Sequence, residues 1–226
     1  MKITNTQVFG FEAAVRGMRN PLASWDKSDS YPVDCIGATT MDSTKSKNFS
    51  IGPNDMDLMK RLLKSGPEHA KFMRMIHVQC DVDMPRYWWS EADTYHFNTK
   101  NSTSTMHKLL NNDNPITLDM FAICEEDREL WKIIVNRLES LRKTYKSAQK
   151  NDELSNKKEI LSRLLLRAKR LLPEGFLQMR TWDTNYAELR TMYHQRKNHR
   201  LKEEWQDVFC KWVELLPYAK ELIIGE

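Results

Sequence analysis

Ser65 to His107 reads SGPEHAKFMRMIHVQCDVDMPRYWWSEADTYHFNTKNSTSTMH, and its character changes along its length. His77 to Asp83 alternates apolar and polar residues, with Val78, Cys80 and Val82 on one side, which predicts a strand. Pro85 interrupts it. Tyr87 to Ala92 is aromatic and predicts continued extended chain or a second strand. Thr94 to Thr105 is rich in hydroxyls and amides, and it has no reason to be buried unless it faces a ligand. Thr99, Ser102, Ser104, Asn98 and Asn101 offer donors to oxygen, and Lys100 adds a cation, which suits a phosphate or a pyrimidine edge. A helix beginning near Ser102 would add its N-terminus to that anion-binding character. The competing reading is a flexible hydrophilic loop. Upstream, the Gly66-Pro67 break puts Glu68 and His69 at the start of a new element. Adjacent Glu and His suit proton transfer; equally, Ser65 is a helix cap and Glu68 a surface acid.

Outward from this stretch the periodicity is mostly helical. Residues 5–9 suit a short strand and Phe11–Arg19 a short helix. Residues 21–48 lack periodicity and read as one long loop, a length usually tied to function or motion. Gly52 to Asp55 opens a helix carrying Met56, Met59, Leu62 and Leu63 at helical spacing. Glu125 to Ser147 is the clearest helix, with Trp131, Ile134, Leu138, Leu141 and Tyr145 on one stripe. A charged break at residues 146–158 separates it from a second helix over Glu159 to Leu172, which Pro173 and Gly175 end. Trp182 to Tyr193 is predicted helical. Lys202 to Leu216 is an amphipathic helix through Trp205, Phe209 and Trp212.

Composition narrows the function classes. The chain has 226 residues and 40% hydrophobic content, enough for one sizeable domain over residues 1–226. With only 7 glycines and 8 prolines, a helix-rich chain is favoured over an all-β one. No apolar run is long enough to cross a bilayer, and the first residues lack the apolar region of a signal peptide, so no membrane partner and a cytoplasmic location are expected. Cys35, Cys80, Cys124 and Cys210 are far apart, without the clustering a zinc site wants, and are read as buried or half-buried thiols. No metal site is expected. A net charge of +4 is mild, and most basic residues alternate with acids. The denser cluster near Arg196, Lys197 and Arg200 suits carboxylate or phosphate contacts, or is simply a solvated helix end. It is weak evidence for nucleic acid, which is not an expected partner. The dinucleotide, phosphate-loop, zinc-protease and serine-hydrolase signatures are absent from the sequence.

The order of motifs resembles the flavin-dependent thymidylate synthases (ThyX), over about two thirds of the chain. That family carries a Glu-His pair, a strand Arg, a Gln, and the signature Arg-His-Arg-x-x-Ser-x-Asn-Glu-x-Ser-x-Arg-Tyr. Glu68-His69 resembles the pair, Arg86 the strand Arg, and Glu91 stands where the family has Gln. Thr94-Tyr95-His96 replaces Arg-His-Arg, Thr99 replaces Ser, and Asn101 and Ser104 are retained. Ser102 replaces Glu, and Met106-His107 replaces Arg-Tyr. Ala168-Lys169-Arg170-Leu171-Leu172-Pro173 resembles the family's Ala-Arg-x-x-Leu-Pro, Asn185 its following Asn, and Arg196 and His199 its C-terminal basic residues. The chain also looks like a branch of phage and gut-bacterial proteins of this kind.

The resemblance implies an α/β (α+β) fold with a central mixed sheet flanked by helices, assembled as a homotetramer. It implies FAD as cofactor, methylenetetrahydrofolate as one-carbon donor, and dUMP or a related pyrimidine nucleotide as acceptor. Carried over residue by residue, Arg86, Glu91, Asn101, Ser102, Ser104, Arg196 and Arg200 would bind the nucleotide. Glu68, His69, Thr94, Tyr95, His96, Thr99, Asn185 and His199 would meet the flavin. Thr94, His96 and Met106 lack the family's guanidinium forks, which leaves open a binding protein without catalysis on the same fold.

Overall fold

A computed structural model describes residues 1–33 and 49–225. Residues 34–48, with Cys35 and most of the long loop expected there, lie outside the described residues.

The chain begins with β1 (Lys2–Phe9) and α1 (Phe11–Arg19), joined at Gly10. Gly10 has φ +95°, and a Cβ there would sit 2.0 Å from the Met75 carbonyl oxygen. Only glycine satisfies both the left-handed backbone and that close approach. Gly10→Ala is expected to destabilise the chain by about 2 kcal/mol or more, read from denaturant unfolding. α1 buries Phe11, Ala14, Val15 and Met18, one helical face. Short strands β2 (Tyr31–Pro32) and β3 (Phe49–Ser50) pair antiparallel. α2 (Pro53–Ser65) starts with proline at its first position, where no N–H is needed. Asp29 supplies its missing cap from outside, accepting from the Asn54 and Asp55 amides at 2.9 and 3.1 Å.

β4 (His77–Pro85) has the predicted alternation, burying Val78, Cys80, Val82 and Met84. α3 (Arg86–Ala92) follows at once and buries Trp88 and Trp89. The aromatic run is therefore a helix, not the extended chain expected: Pro85 ends the strand but is a good residue to precede a helix. The polar stretch forms β5 (Thr99–Ser102) and a single-turn α4 (Thr105–Lys108), which Ser104 caps by accepting the His107 amide. α5 (Arg128–Lys150) and α6 (Lys157–Leu171) are the two long helices expected, with their ends displaced by one to three residues. β6 (Leu177–Asn185) takes Trp182 to Asn185, which the sequence reading had assigned to a helix; α7 (Tyr186–Arg196) begins only after the Asn185 cap. The last predicted helix is a π-helix over Lys202–Cys210 leading into α8 (Lys211–Glu214), and a further π-helical turn spans Lys220–Ile224.

The main sheet has four antiparallel strands in the order β1–β4–β6–β5, and the class is α+β. The sheet is thus antiparallel where a mixed one was expected. Two compact units share the chain. One takes in residues 2–82, 94–101 and 181–226; the other takes in 83–93 and 102–180, with Met1. In the second, α5 and α6 close a core of Leu110, Phe121, Leu138, Leu141, Leu164 and Ala168. In the first, Trp182, Trp205 and Phe209 are fully buried beside Tyr186 and Phe11. Most tryptophans are core, as the sequence reading held. Cys80 and Cys210 are buried, whereas Cys124 is exposed, contrary to expectation. Burial pushes the Cys80 thiol far up, and the Cys210 thiol to about 12, so neither is a nucleophile near neutrality. No helix among the described residues is long and apolar enough to cross a membrane.

Candidate functional sites

Each unit carries a recess built from the residues singled out in the sequence. In the unit of residues 102–180, Arg86, Ser90, Thr105, Lys169, Glu174, Gln178 and Arg180 surround about 280 Å³. Three cations, Arg86, Lys169 and Arg180, gather here, and two of them already have a carboxylate partner. Arg86 pairs with Glu174 at 3.1 Å. Lys169 donates to the Thr105 hydroxyl at 2.5 Å, and its pKa is lowered by burial first and by the Arg86 charge second. The Arg180 guanidinium lies over the Trp89 ring, 4.3 Å from its centre, and its Nη1 donates to both Asp93 oxygens at 3.0 Å. Its Nε is buried without a hydrogen-bond partner among the described residues. With both arginines paired, the half-buried Lys169 is, among the described residues, the cation without a carboxylate partner in the recess, and its charge is the one an incoming anion would favour most.

Thr105 and Gln178 also border a second cavity of about 230 Å³ in the same unit. Its walls include Ser104, Leu109, Ile116, Met120 and Phe176, with Asn112 and Asn114 at polar positions. A cationic end and an apolar, amide-edged end side by side suit a phosphorylated molecule with a ring.

The other unit holds a cavity of about 550 Å³. Thr94, Tyr95, His96 and Phe97 form one wall, Asn185, Glu188, Arg190 and His194 another, and Leu63, Met73 and Ala187 are apolar facing. The wall is tied down by its backbone. The Phe97 amide donates to Glu188 Oε1 at 3.2 Å, and the Phe97 carbonyl accepts from Asn185 Nδ2 at 3.2 Å. Asn98 donates to Glu188 Oε1 at 3.0 Å. The Tyr95 hydroxyl bridges Gln195 at 2.7 Å and Arg196 Nε at 3.0 Å.

The structure gathers the sequence-derived residues unequally. Thr94, Tyr95, His96 and Asn185 line one cavity. Glu68 and His69, 3.6 Å apart and exposed, border a different recess of the same unit with Arg61 and Lys71. Thr99 and Asn101 are exposed on β5. Arg196 stacks on Trp205 at 4.6 Å, and His199 meets the edge of the same ring. Arg200 is exposed, and Glu91 is half-buried on α3. Arg86 lines the cationic recess and Ser104 its neighbour, whereas Ser102 is exposed. The sequence reading missed Lys169, Arg180, Glu188 and Arg190 as site residues. Lys169 sat within a motif already noticed; the others carried no signal, because a lone Arg or Glu on a strand or helix reads as solvated.

Two solved structures resemble the whole chain. One is the flavin-dependent thymidylate synthase ThyX of Helicobacter pylori complexed with FAD and dUMP, with a TM-score of 0.66 at 15% identity over 98% of each chain. The chain has the ThyX fold. A second ThyX structure from the same organism, also with FAD and dUMP, gives a TM-score of 0.68 at 14% identity over 99% of this chain and 96% of that one. No family model matches, and no curated protein matches. At such low identity the ThyX likeness is one of fold; the chemistry rests on the chain's own residues.

Proposed function

We propose that this chain binds a pyrimidine nucleotide, with its phosphate on Arg86, Lys169 and Arg180 and its base in the adjoining cavity beside Ser104. The observation that carries the reading is the three-cation recess opening, at Thr105 and Gln178, beside a ring-sized apolar one. Asn101, Ser102, Glu91, Arg196 and Arg200 remain proposed nucleotide contacts. Glu68, His69, Thr94, Tyr95, His96, Thr99, Asn185 and His199 remain proposed cofactor contacts. The reaction proposed is thymidylate-synthase-like: transfer of a one-carbon unit from methylenetetrahydrofolate to carbon 5 of dUMP or a relative. The ThyX fold and the two ligands of the Helicobacter proteins support it. The same resemblance leads us to propose a single functional domain, a homotetramer and a cytoplasmic setting, that of a host cell if the chain is phage-encoded.

FAD fits this chain in part. The cavity between Thr94–Phe97 and α7, at about 550 Å³, lies within the roughly 300–1,000 Å³ of small-molecule sites and is mostly apolar, which suits a flavin ring. The pyrophosphate finds less. Thr94 and His96 offer no fork, and Arg190 already donates to the Leu222 and Ile223 carbonyls. A bound reduced flavin would supply the hydride; the protein's own part is to bind, orient and exclude water. The shortage of guanidinium groups also favours a second reading, a nucleotide-binding protein without turnover.

Mass spectrometry of small molecules released from the purified protein separates the two. A pyrimidine nucleotide together with a flavin is the expected result; a nucleotide alone supports the second reading, and neither would defeat both. Ser104→Ala is expected to weaken nucleotide binding roughly fivefold by calorimetry, the loss of one hydroxyl contact. An unchanged affinity would move the base out of that cavity.

A further inference from the structure

We infer that Glu174 is a built-in competitor of the ligand phosphate: its carboxylate holds Arg86 in the free protein, and an incoming phosphate takes Arg86 by displacing it. The inference rests on the nucleotide reading above and adds what that site gives up on binding.

The pair is set by the backbone. After α6 ends at Leu171, the chain passes through Pro173, Glu174 and Gly175 into β6. That turn is clamped to the start of α3. The Tyr87 amide donates to the Glu174 carbonyl at 3.2 Å, and the Arg86 amide to the Phe176 carbonyl at 3.1 Å. Its other side is held as well. The Ala122 amide donates to the Gly175 carbonyl at 2.8 Å, and a Cβ on Gly175 would stand 2.8 Å from the Ala122 carbonyl oxygen. These are main-chain contacts, so the turn stays against α3 whatever the Glu174 side chain does.

The two carboxylates that pair with recess arginines differ in place. Asp93 holds Arg180, but among the described residues the recess is bordered by Glu174 and not by Asp93. Glu174 Oε1 lies 3.1 Å from Arg86 Nη2, where a ligand oxygen would bind. Two anions on one guanidinium edge repel each other, so one of them must leave. The Glu174 side chain is 58% exposed, and its pair with Arg86 is correspondingly weak. A phosphate monoester brings roughly two negative charges near pH 7 and three acceptor oxygens. The exchange therefore favours the phosphate, and Glu174 turns out into water by its own side-chain torsions. The measured affinity is then net of the lost Arg86–Glu174 pair.

The test is calorimetric titration of the full-length protein, freed of bound small molecules, with dUMP and with dCMP. Glu174→Gln is expected to tighten binding roughly fivefold, the upper end of what an exposed ion pair contributes, and Glu174→Ala to do the same without an amide left to bond Arg86. In an Arg86→Gln background, Glu174→Gln should change affinity by less than about twofold, because the arginine it would release is gone. Unchanged or weaker binding by both Glu174 variants would overturn the inference while leaving the nucleotide reading intact. So would a gain that persists at full size without Arg86, since Glu174 would then act by general repulsion alone. Absence of binding by the parent and by both variants would defeat the nucleotide reading, and the inference with it.

Discussion

Lys169→Glu is expected to lower nucleotide affinity at least a hundredfold, about 2.7 kcal/mol, with the circular dichroism spectrum unchanged. The lysine stands half-buried among Arg86, Arg180 and the Thr105 hydroxyl, where its positive charge is disfavoured by burial and by Arg86. A phosphate offsets both penalties with its opposite charge, so the lysine's charge is more favourable in the complex than in the free protein. A glutamate there puts like charge against the phosphate in a poorly screened place. Glutamate is also a good helix former, so α6 should persist. The lowered pKa of Lys169 also sets a pH dependence. Lys169 loses its proton below the usual lysine range in the free protein, so affinity should fall on the alkaline side earlier than for an ordinary lysine. Lys169→Arg, which stays charged, should push that limb upward. Calorimetry across pH measures both. A glutamate variant that binds as well as the parent would remove the phosphate from this recess.

Asp55→Ala is expected to cost about 3–5 kcal/mol of stability, a drop of roughly 10 °C in Tm, because it strands a buried charge. Asp55 is fully buried and pairs with Arg19 at 2.6 Å. The other carboxylate oxygen accepts from the Ser28 and Ser30 hydroxyls at 2.6 Å and from the Asp29 and Ser30 amides at 3.2 Å. Arg19 in turn holds the Ser24 and Lys27 carbonyls. Removing the carboxylate leaves a guanidinium at 5% exposure with no counter-charge. Burial opposes the charge on Asp55, but the hydrogen bonds from Ser28, Ser30 and Arg19 outweigh it and hold its pKa below the ordinary value. The carboxyl therefore stabilises the fold above the ordinary aspartate range, and that contribution is lost as pH falls through its lowered value. Asp55→Asn should flatten the acid limb of a stability-against-pH curve. An acid limb identical to the parent's would show that another carboxylate governs it.

How far the sequence could carry these conclusions differs by element. β4, α1, α5 and α6 were legible because one face of each is buried and the period is clean. α3 was not, since a run such as Tyr87-Trp88-Trp89 has high strand propensity, and burial of Trp88 and Trp89 on a helix overrides it. β6 was hidden because Trp182 and Tyr186 fall at helical spacing while sitting on different elements. The linings of the recesses were half legible. Arg86, Ser104, Thr94 and Asn185 came from motif order, which survives divergence. Lys169, Arg180 and Glu188 depend on which helix and strand faces meet within a unit, and that is not written in local spacing.

Phe97 has both of its main-chain polar groups held by Asn185 and Glu188, while its ring is 74% exposed. The position is thus anchored by atoms every residue except proline possesses. A substitution at this position is therefore expected to reshape the mouth of the cavity, where Arg74 meets the ring, without redrawing the wall behind it.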